Sequence, residues 1–321
     1  MRRGGEMAEK YTTPVARRGA LKLKSTKPPF GYYGAKQRIA RRIISWLPPH
    51  NAWVEAFCGS AAITLAKPPA PIEVINDLDD QIVNLFDQLR NNRAALCRAV
   101  ALTPYARAEF QKARVGAKKL DPLEKARRFL VATMMTVNGT VGSTRAGFSF
   151  SQSYARERKE ARVSRWYNLP ERLEKVSERL RNVRVENRDA RELLGMFADR
   201  PATLVYLDPP YFAKREHRYV IEADDRAFHE DLLRICIRAR CMLLLSGYEN
   251  ELYDGLLRPG NGWKKVQIET HTRDTKGKDY ARTEMLWMNR QFVKAQSSGR
   301  VPIRLSQKEK SNNKINPTRK R

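Results

Sequence analysis

The feature that most restricts the fold of this 321-residue chain is a repeated alternation of apolar strand-like runs with helical patterns. "NAWVEAFCGSAAITLA" reads as strand, tight turn and helix, and "PIEVINDLDDQIVNLFDQL" and "VRVENRDARELL" repeat that order. Further strands are expected in "ATLVYLDPPY" and "CMLLLSGYE". Strands that are joined through helices pair in parallel, whereas "WKKVQIETHTR" and "RTEMLWMNR" have no helix between them. The sequence therefore predicts an α/β fold with a mostly parallel sheet and an antiparallel last strand.

The charge of the chain is strongly unbalanced. Lysine and arginine number 62 against 35 aspartate and glutamate, which gives a net charge of +27. Self-repulsion of this size favours an anionic partner, and nucleic acid is the usual one. Residues 1–27 and 296–321 are basic and poor in large apolar side chains, so we expect disordered basic arms there.

Residues 88–168 separate the two stretches with α/β character and carry 17 basic against five acidic residues. We interpret them as an inserted domain between two parts of one domain, residues 28–87 and 169–295. The segment "NGTVGSTRAGFSFS" predicts a hairpin at its end. The positive charge of residues 88–168 has two interpretations: a solvated helix face, or a surface that lies along a phosphate backbone.

Cysteine usage and hydropathy indicate the compartment. No apolar run approaches the ~18 residues of a membrane span, and no signal peptide is recognisable. The four cysteines are scattered without metal-type spacing, and Cys236 and Cys241 are expected in the core. These features predict a reduced, cytoplasmic protein, acting at the nucleoid if its partner is DNA.

Candidate ligand contacts follow several of the predicted strands, because ligands of open parallel sheets collect beyond the carboxyl ends of the strands. Residues 59–61, Gly-Ser-Ala, form a tight turn that a ligand can approach closely. Asp77 follows the second strand, where an acid accepts hydrogen bonds from ribose hydroxyls. Asp79 and Asp80 are expected to face solvent or to cap a helix. Asp189 is either a ligand contact or a helix cap.

The segment "TLVYLDPPYFAK" ends a strand with an acid, two prolines and a tyrosine. Prolines stiffen the backbone and lack N–H groups, so Asp208 and the Pro209 carbonyl offer two acceptors at a fixed separation. Two such acceptors suit an amino group with two hydrogens, and Tyr211 offers a flat face for stacking. The alternative is an ordinary loop with Tyr211 in the core.

Seven segments, in this order along the chain, resemble the motifs of a known family. They are "PPFGYYGAKQRIARRI", "WVEAFCGSAAITLAKPP", "EVINDLDDQIVNLF", "RRFLVATMMTVNGTVGSTRAGFS", "VYLDPPY", "LLLSGYENELYD" and "RTEMLWMN". Together they resemble the Dam-type DNA adenine methyltransferases, phage and prophage members above all, over roughly residues 28–290. The resemblance implies a Rossmann-like S-adenosylmethionine-dependent methyltransferase fold with a mainly helical, inserted target-recognition domain.

The resemblance also implies roles for individual residues. Contacts to S-adenosylmethionine are implied for Tyr32, Lys36, Phe57, Gly59, Ser60, Asp77, Asp189 and Asp208. Lys36 would lie near the cofactor's carboxylate and Asp77 at its ribose, and Tyr33 is the alternative to Tyr32. Many members of the family have a second glycine at the position of Ala61, where an alanine is accommodated if the backbone is not left-handed.

The implied reaction is methyl transfer to the 6-amino group of an adenine that is flipped out of duplex DNA. Asp208, Pro209 and Tyr211 would be the catalytic residues, with no metal required. Asn138, Arg145 and Phe148 are the candidate DNA contacts, and Arg145 meets either a base edge or a phosphate. The expected form is a monomer, with a cognate restriction endonuclease as a candidate partner.

Three other functions are compatible with parts of the pattern. An RNA base-amine methyltransferase and a cytosine 4-amino methyltransferase also transfer a methyl group to an amino group of a base. The cytosine enzymes, however, more often have serine at the position of Asp208. The third is a catalytically inactive DNA-binding protein on the same scaffold. The presence of Lys36, Asp77 and Asp208 argues against this last function.

Overall fold

A computed structural model describes residues 25–31, 36–115, 119–137, 147–150, 160–210, 226–273 and 279–302 of the chain. The strands are β1 Ala52–Glu55, β2 Ile72–Asn76, β3 Val183–Glu186, β4 Thr203–Leu207, β5 Met242–Gly247, β6 Lys264–Arg273 and β7 Asp279–Met288. The helices before β3 are α1 Ala40–Trp46, α2 Ala62–Ala66, α3 Asp80–Asn91, α4 Arg93–Ala101, α5 Arg107–Arg114, α6 Pro122–Met134, α7 Ala161–Tyr167 and α8 Leu169–Arg179. Those after it are α9 Ala190–Phe197, α10 Arg226–Arg238, α11 Glu251–Leu256 and α12 Arg290–Ser298, and Lys36–Arg38 and Pro259–Asn261 form short 3-10 turns.

One seven-stranded sheet has the order β3-β2-β1-β4-β5-β7-β6. The first five strands in this order are parallel, and β1 lies between β2 and β4 with Val54 level with Val74 and Val205. β7 runs antiparallel to both β5 and β6. The predicted Rossmann-like α/β fold with an antiparallel last strand is confirmed.

Alternation along each strand separates two buried faces of the sheet. Trp53, Leu204 and Leu286 face α1, α2 and α12, whereas their chain neighbours Val54 and Val205 face α9 and α10. Trp53 is fully buried, and burial of a large apolar side chain stabilises the fold by about 1.5–3 kcal/mol. Both faces of the sheet are thus covered, as parallel strands require.

A third apolar cluster joins the helices of the basic segment to the sheet. It contains Phe129 and Trp166 from the segment, Leu85 of α3 and Leu173 of α8. Phe30 belongs to the same cluster and meets Phe129 edge to face, with ring centroids 5.0 Å apart. The described part of the segment is mainly helical, as expected, while its boundaries as a separate domain stay a prediction.

Short polar residues set the starts of several helices, as sequence patterns indicate. The Asp79 carboxylate accepts a hydrogen bond from the Gln81 N–H at the start of α3. The Asp121 carboxylate caps α6, whose first residue is Pro122, and Asn289 caps α12. The expectation that Asp79 caps a helix is confirmed.

All four cysteines are buried and unpaired, which confirms the expectation of a core position for Cys236 and Cys241. None of the helices in the described part of the chain combines the length and apolar character needed to span a bilayer.

Candidate active site

Two acidic residues lie on either side of the turn that follows β1. Asp77 follows β2, and Asp208 follows β4. Because β2 and β4 flank β1 in parallel, their carboxyl ends meet at the same edge of the sheet. The topology therefore brings together the acid after strand two, the glycine turn and the Asp-Pro-Pro segment, as the sequence predicted.

Asp208 is oriented by hydroxyl groups beneath it. Its Oδ1 accepts a hydrogen bond of 2.8 Å from the Ser246 hydroxyl, on β5. Since Ser246 gives its only proton to Asp208, the Tyr206 hydroxyl, 2.8 Å from Ser246 Oγ, is the donor to Ser246. Burial, and then the Asp208 charge, raise the pKa of Tyr206 well above its ordinary value, which keeps this donor protonated. Tyr206 and Ser246 thus form a donor chain that ends on Asp208.

A buried cation holds the other oxygen of Asp208. Lys36 Nζ lies 2.8 Å from Asp208 Oδ2 and 3.5 Å from Glu284 Oε1, and the Lys36 side chain is only 7% exposed. Sequence reasoning expected Lys36 near the cofactor's carboxylate. The structure places its ammonium near two protein carboxylates, and any cofactor contact of Lys36 stays a prediction.

Glu55, at the end of β1, is a buried acid that sequence reasoning did not single out. Its carboxylate accepts hydrogen bonds from the Thr64 N–H, at 2.9 Å, and from the Thr64 hydroxyl. Thr64 Oγ1 in turn accepts from Trp53 Nε1 at 2.7 Å. Burial raises the pKa of Glu55 to about 7, against the lowering effect of the Thr64 hydrogen bonds. An acid inside the apolar run "WVEAF" was the available signal.

The turn after β1 contains two residues with left-handed backbone. Gly59 has φ 48°, and Ala61 has φ 53° and ψ 39°. The condition under which an alanine is easily accommodated at residue 61 is therefore not met. For an L-residue the left-handed region costs roughly 1–2 kcal/mol, so Ala61 is a strained position beside the site.

The Asp77 carboxylate ties this turn to the start of α3. Its Oδ2 accepts from the Gly59 N–H at 2.7 Å, and its Oδ1 accepts from the Asp79 N–H at 3.0 Å. Burial raises the pKa of Asp77 to about 6, although both backbone hydrogen bonds act in the opposite direction. Each oxygen keeps a lone pair for a further donor.

Ser60 and Asp77 provide a test of whether the turn fits a polar ligand. Ser60 is 2% exposed, and its Oγ has no hydrogen-bond partner among the described residues. Buried hydroxyls are normally satisfied, so this atom is available to a ligand at the turn. A free hydroxyl beside a carboxylate fits the hydroxyl-, amine- and carboxylate-bearing S-adenosylmethionine.

Arg191 connects Asp189 to Phe228, which also contacts Phe57. The Asp189 carboxylate caps α9, accepting from the Arg191 N–H at 2.8 Å, and pairs with the Arg191 guanidinium at 2.6 Å. That guanidinium lies 4.9 Å from the ring centroid of Phe228, which meets half-buried Phe57 edge to face at 6.3 Å. Of the two interpretations of Asp189, the helix cap is confirmed, and the ligand contact stays a prediction.

Phe148 lies at the base of the predicted hairpin in the basic segment. An antiparallel bridge pairs it with Thr136, and the Ser149 N–H donates to the Met135 carbonyl at 2.7 Å. Its ring packs on Tyr105 at 5.2 Å between ring centroids. Phe148 is therefore held by Thr136 and Tyr105, and its DNA contact stays a prediction. The predicted hairpin itself lies mostly outside the described residues. Of the other site residues predicted from sequence, Tyr32, Asn138, Arg145 and Tyr211 lie outside the described residues, as does Tyr33.

The chain matches one protein family and is similar to several solved structures. The family model of the D12 class N6 adenine-specific DNA methyltransferases matches residues 32–249. No curated protein matches the sequence. Among solved structures, two of the rRNA methyltransferase aviRa from Streptomyces viridochromogenes are similar at 14% and 13% identity, each with a TM-score of 0.34. The matches cover 81% and 86% of this chain and 87% and 93% of the other. Precorrin 8W decarboxylase from Methanobacterium thermoautotrophicum is similar at 10% identity and a TM-score of 0.32, over 78% of this chain and 89% of that one.

Proposed function

The chain belongs to the D12 class of N6 adenine-specific DNA methyltransferases, and from that premise we propose that it methylates a flipped adenine in duplex DNA with S-adenosylmethionine as the donor. The observation that carries this proposal is the fixed Asp208-Pro209 acceptor pair. Asp208 is held by Lys36 and Ser246, and Pro209 has no N–H to compete with its carbonyl. An aromatic amine with two hydrogens matches this pair of acceptors.

The acceptor pair addresses the main chemical difficulty of the reaction. The amino nitrogen of adenine is a poor nucleophile because its lone pair is delocalised into the ring. Hydrogen bonds from this nitrogen to Asp208 and to the Pro209 carbonyl favour a more tetrahedral and more nucleophilic nitrogen. These bonds strengthen as positive charge develops on the nitrogen, so they stabilise the transition state more than the ground state.

The carboxylate must not rotate away from the amine while the base enters. Ser246 holds one oxygen of Asp208 and Lys36 holds the other, with Tyr206 and Glu284 behind them. Such preorganisation lowers the barrier because no reorientation is needed at the moment of reaction. We assign stacking on the flipped base to Tyr211, as the resemblance implies.

The turn after β1 would hold the cofactor. We assign the ribose hydroxyls to Asp77 and polar groups of the methionine part to Ser60, with Phe57 and Gly59 lining the pocket. Contacts of Tyr32, Lys36 and Asp189 with the cofactor belong to the same proposal. S-adenosylmethionine, when bound, supplies a methyl group that is activated by its positive sulfur.

The test is expression of the full chain in a host without adenine methylation, followed by sequencing of the host genome for modified adenines. We expect N6-methyladenine in one short sequence context, and none with the Asp208→Ala variant at equal protein level. No modified base with the unaltered chain would contradict the proposal. The monomeric state and a cognate restriction endonuclease stay predictions.

A further inference from the structure

Three arginines lie together on α7 and α8. Arg162 and Arg165 are three residues apart on α7, which places them on one side of that helix. Arg172 of α8 donates from Nη2 to the Arg165 carbonyl at 3.2 Å. Among the described residues, none of the three forms a salt bridge; the nearby acid Glu171 pairs with Lys175 at 2.6 Å.

The electrostatics of this arginine cluster favour an anion. Burial lowers the pKa of Arg165, and the charge of Arg162 lowers it further. Burial also lowers the pKa of Arg172, with the charge of Arg165 adding to it. The charge of Glu160 also acts at the Tyr105 hydroxyl near Arg162 and Arg165, so the cluster sets three cations against this one acid. Like charges that are partly withdrawn from water destabilise a fold, and a bound anion relieves that cost. Arg165 keeps an exposed portion that an anion can reach.

The cluster lies beside the base of the hairpin. The charges of Arg162 and Arg165 both act on the Tyr105 hydroxyl, which donates to the Ser149 carbonyl next to Phe148. A DNA strand that contacted Phe148 and Ser149 would therefore pass close to the arginines. Tyr167, 81% exposed on the same helix α7, adds an aromatic face of the kind that nucleic-acid surfaces use.

The cluster also adjoins the segment that leads to the catalytic carboxylate. A Cβ atom added at Gly31 would lie 3.4 Å from Arg165 Nη2. Five residues later, Lys36 pairs with Asp208. Arg165 therefore lies close to a residue that is only five positions before the lysine that pairs with Asp208.

We propose that Arg162, Arg165 and Arg172 bind backbone phosphates of the DNA substrate. This inference rests on the proposed function, since it takes DNA as the anion. Guanidinium groups suit phosphate because their planar donors match its oxygens. Contacts of this kind position the duplex without reading its sequence.

The test measures the affinity of the full-length protein for duplex DNA at several salt concentrations, for the unaltered chain and for the triple variant R162Q/R165Q/R172Q. Each lost phosphate contact should make the slope of log affinity against log salt less steep by about 0.9. We expect a change of roughly 2 to 3 for the triple variant and about 1 for R165Q or R172Q alone, equal for all DNA sequences.

A matched control removes three arginines at the opposite edge of the sheet. Arg181, Arg184 and Arg240 lie near the amino ends of β3 and β5, and their ion pairs with described residues are exposed and 3.7–3.9 Å long. The triple variant R181Q/R184Q/R240Q changes the net charge equally and should retain most of the slope. Thermal unfolding without DNA adds a second readout: loss of like charges should raise the midpoint of the cluster variant or leave it unchanged.

Two results would overturn the inference. One is a slope for the cluster variant that equals that of the control variant. The other is loss of inorganic phosphate binding, measured by calorimetry, with an unchanged DNA slope, since the anion would then not be DNA. A failure of the proposed function is distinguishable, because the unaltered chain itself would then transfer no methyl group to DNA.

Discussion

Asp77 and Asp208 occupy equivalent places on either side of β1, yet the protein holds them by different means. Two backbone N–H groups, of Gly59 and Asp79, hold Asp77. Asp208 is held by the side chains of Lys36 and Ser246. The Asp77 side therefore depends on the local shape of one turn, whereas the Asp208 side depends on packing between distant parts of the chain. In the proposed function, the locally held Asp77 would bind the cofactor and Asp208 would accept hydrogen bonds from the target amine.

Lys36→Met is expected to have the largest effect on stability, and it acts on the surroundings of Asp208 and not on those of Asp77. This change leaves Asp208 and Glu284 buried without their shared cation. Removal of one partner of a buried ion pair costs about 3–5 kcal/mol. We expect a fall of that size in the free energy of unfolding, measured by urea denaturation. Exposed Lys27 supplies the control, since Lys27→Met should change stability little. A loss below about 1 kcal/mol, the range of a surface pair, would contradict the buried network.

Asp77→Asn tests the proposed role of Asp77, whose carboxylate is held by backbone N–H groups. Hydrogen bonds to a charged group contribute about 1.5–3 kcal/mol, so affinity for S-adenosylmethionine should fall roughly tenfold to a hundredfold. The kcat at saturating cofactor should change little, because Asp77 does not contact the target amine in this account. Calorimetric titration and steady-state kinetics measure the two quantities. A large loss of kcat with unchanged affinity would reverse the assigned roles.

The same carboxylate predicts a pH dependence. Burial raises the pKa of Asp77 from 3.8 to about 6, so the fold holds this proton more tightly than the unfolded chain does. Its contribution to stability is therefore complete below pH 3.8 and is lost as the pH rises through 6. Cofactor affinity should run the other way and fall as the pH drops below 6, where the acceptor is protonated. Asp77→Asn should remove both trends; equal affinity of the unaltered protein at low and neutral pH would argue against them.

Ser246→Ala tests the orientation of Asp208 with a smaller change than Lys36→Met. It removes one donor to Asp208 and should lower kcat about tenfold, which corresponds to ~1.4 kcal/mol. Tyr206→Phe should have a smaller effect, because Ser246 can still donate to Asp208. Affinities for cofactor and DNA should stay unchanged in both variants. A general loss of stability with kcat intact would mean that the hydroxyls support the core and not the carboxylate.

The smallest effect concerns the left-handed turn. Ala61→Gly and Ala62→Gly each remove one buried methyl group, but only Ala61 is left-handed. Glycine relieves the left-handed strain at residue 61, whereas at residue 62 it weakens the start of α2. We expect the Ala61 variant to be more stable than the Ala62 variant by about 1–2 kcal/mol in thermal unfolding. Equal stabilities would contradict the left-handed conformation.

The parts of the site that sequence predicted are those governed by local pattern and topology. Alternating strands and helices fixed a parallel sheet, and a parallel sheet brings Asp77 and Asp208 to one edge. Asp189 was predicted as one of two alternatives because a helix cap and a ligand contact have the same residue type. Likewise, the sequence did not predict the left-handed backbone of Ala61, because alanine rarely adopts that conformation.

The parts that sequence missed depend on long-range contacts. Ser246 meets Asp208 across 38 residues, through adjacent strands of the sheet. Glu284 reaches Lys36 only because β7 completes the sheet next to β5. No periodicity within either strand marks these side chains as partners, since Ser246 near the end of β5 and Glu284 in the middle of β7 each look like an ordinary polar strand residue.

The central claim is that Asp208 is the acceptor for the target amine. Its most direct test is single-turnover transfer of a labelled methyl group from S-adenosylmethionine to duplex DNA, with both ligands saturating, by the unaltered protein and by Asp208→Asn. Asparagine keeps the size of the side chain but presents a donor to the amine. We expect a rate at least ~100-fold lower for Asp208→Asn, with both ligands still bound. A rate within about tenfold of the unaltered protein would contradict it.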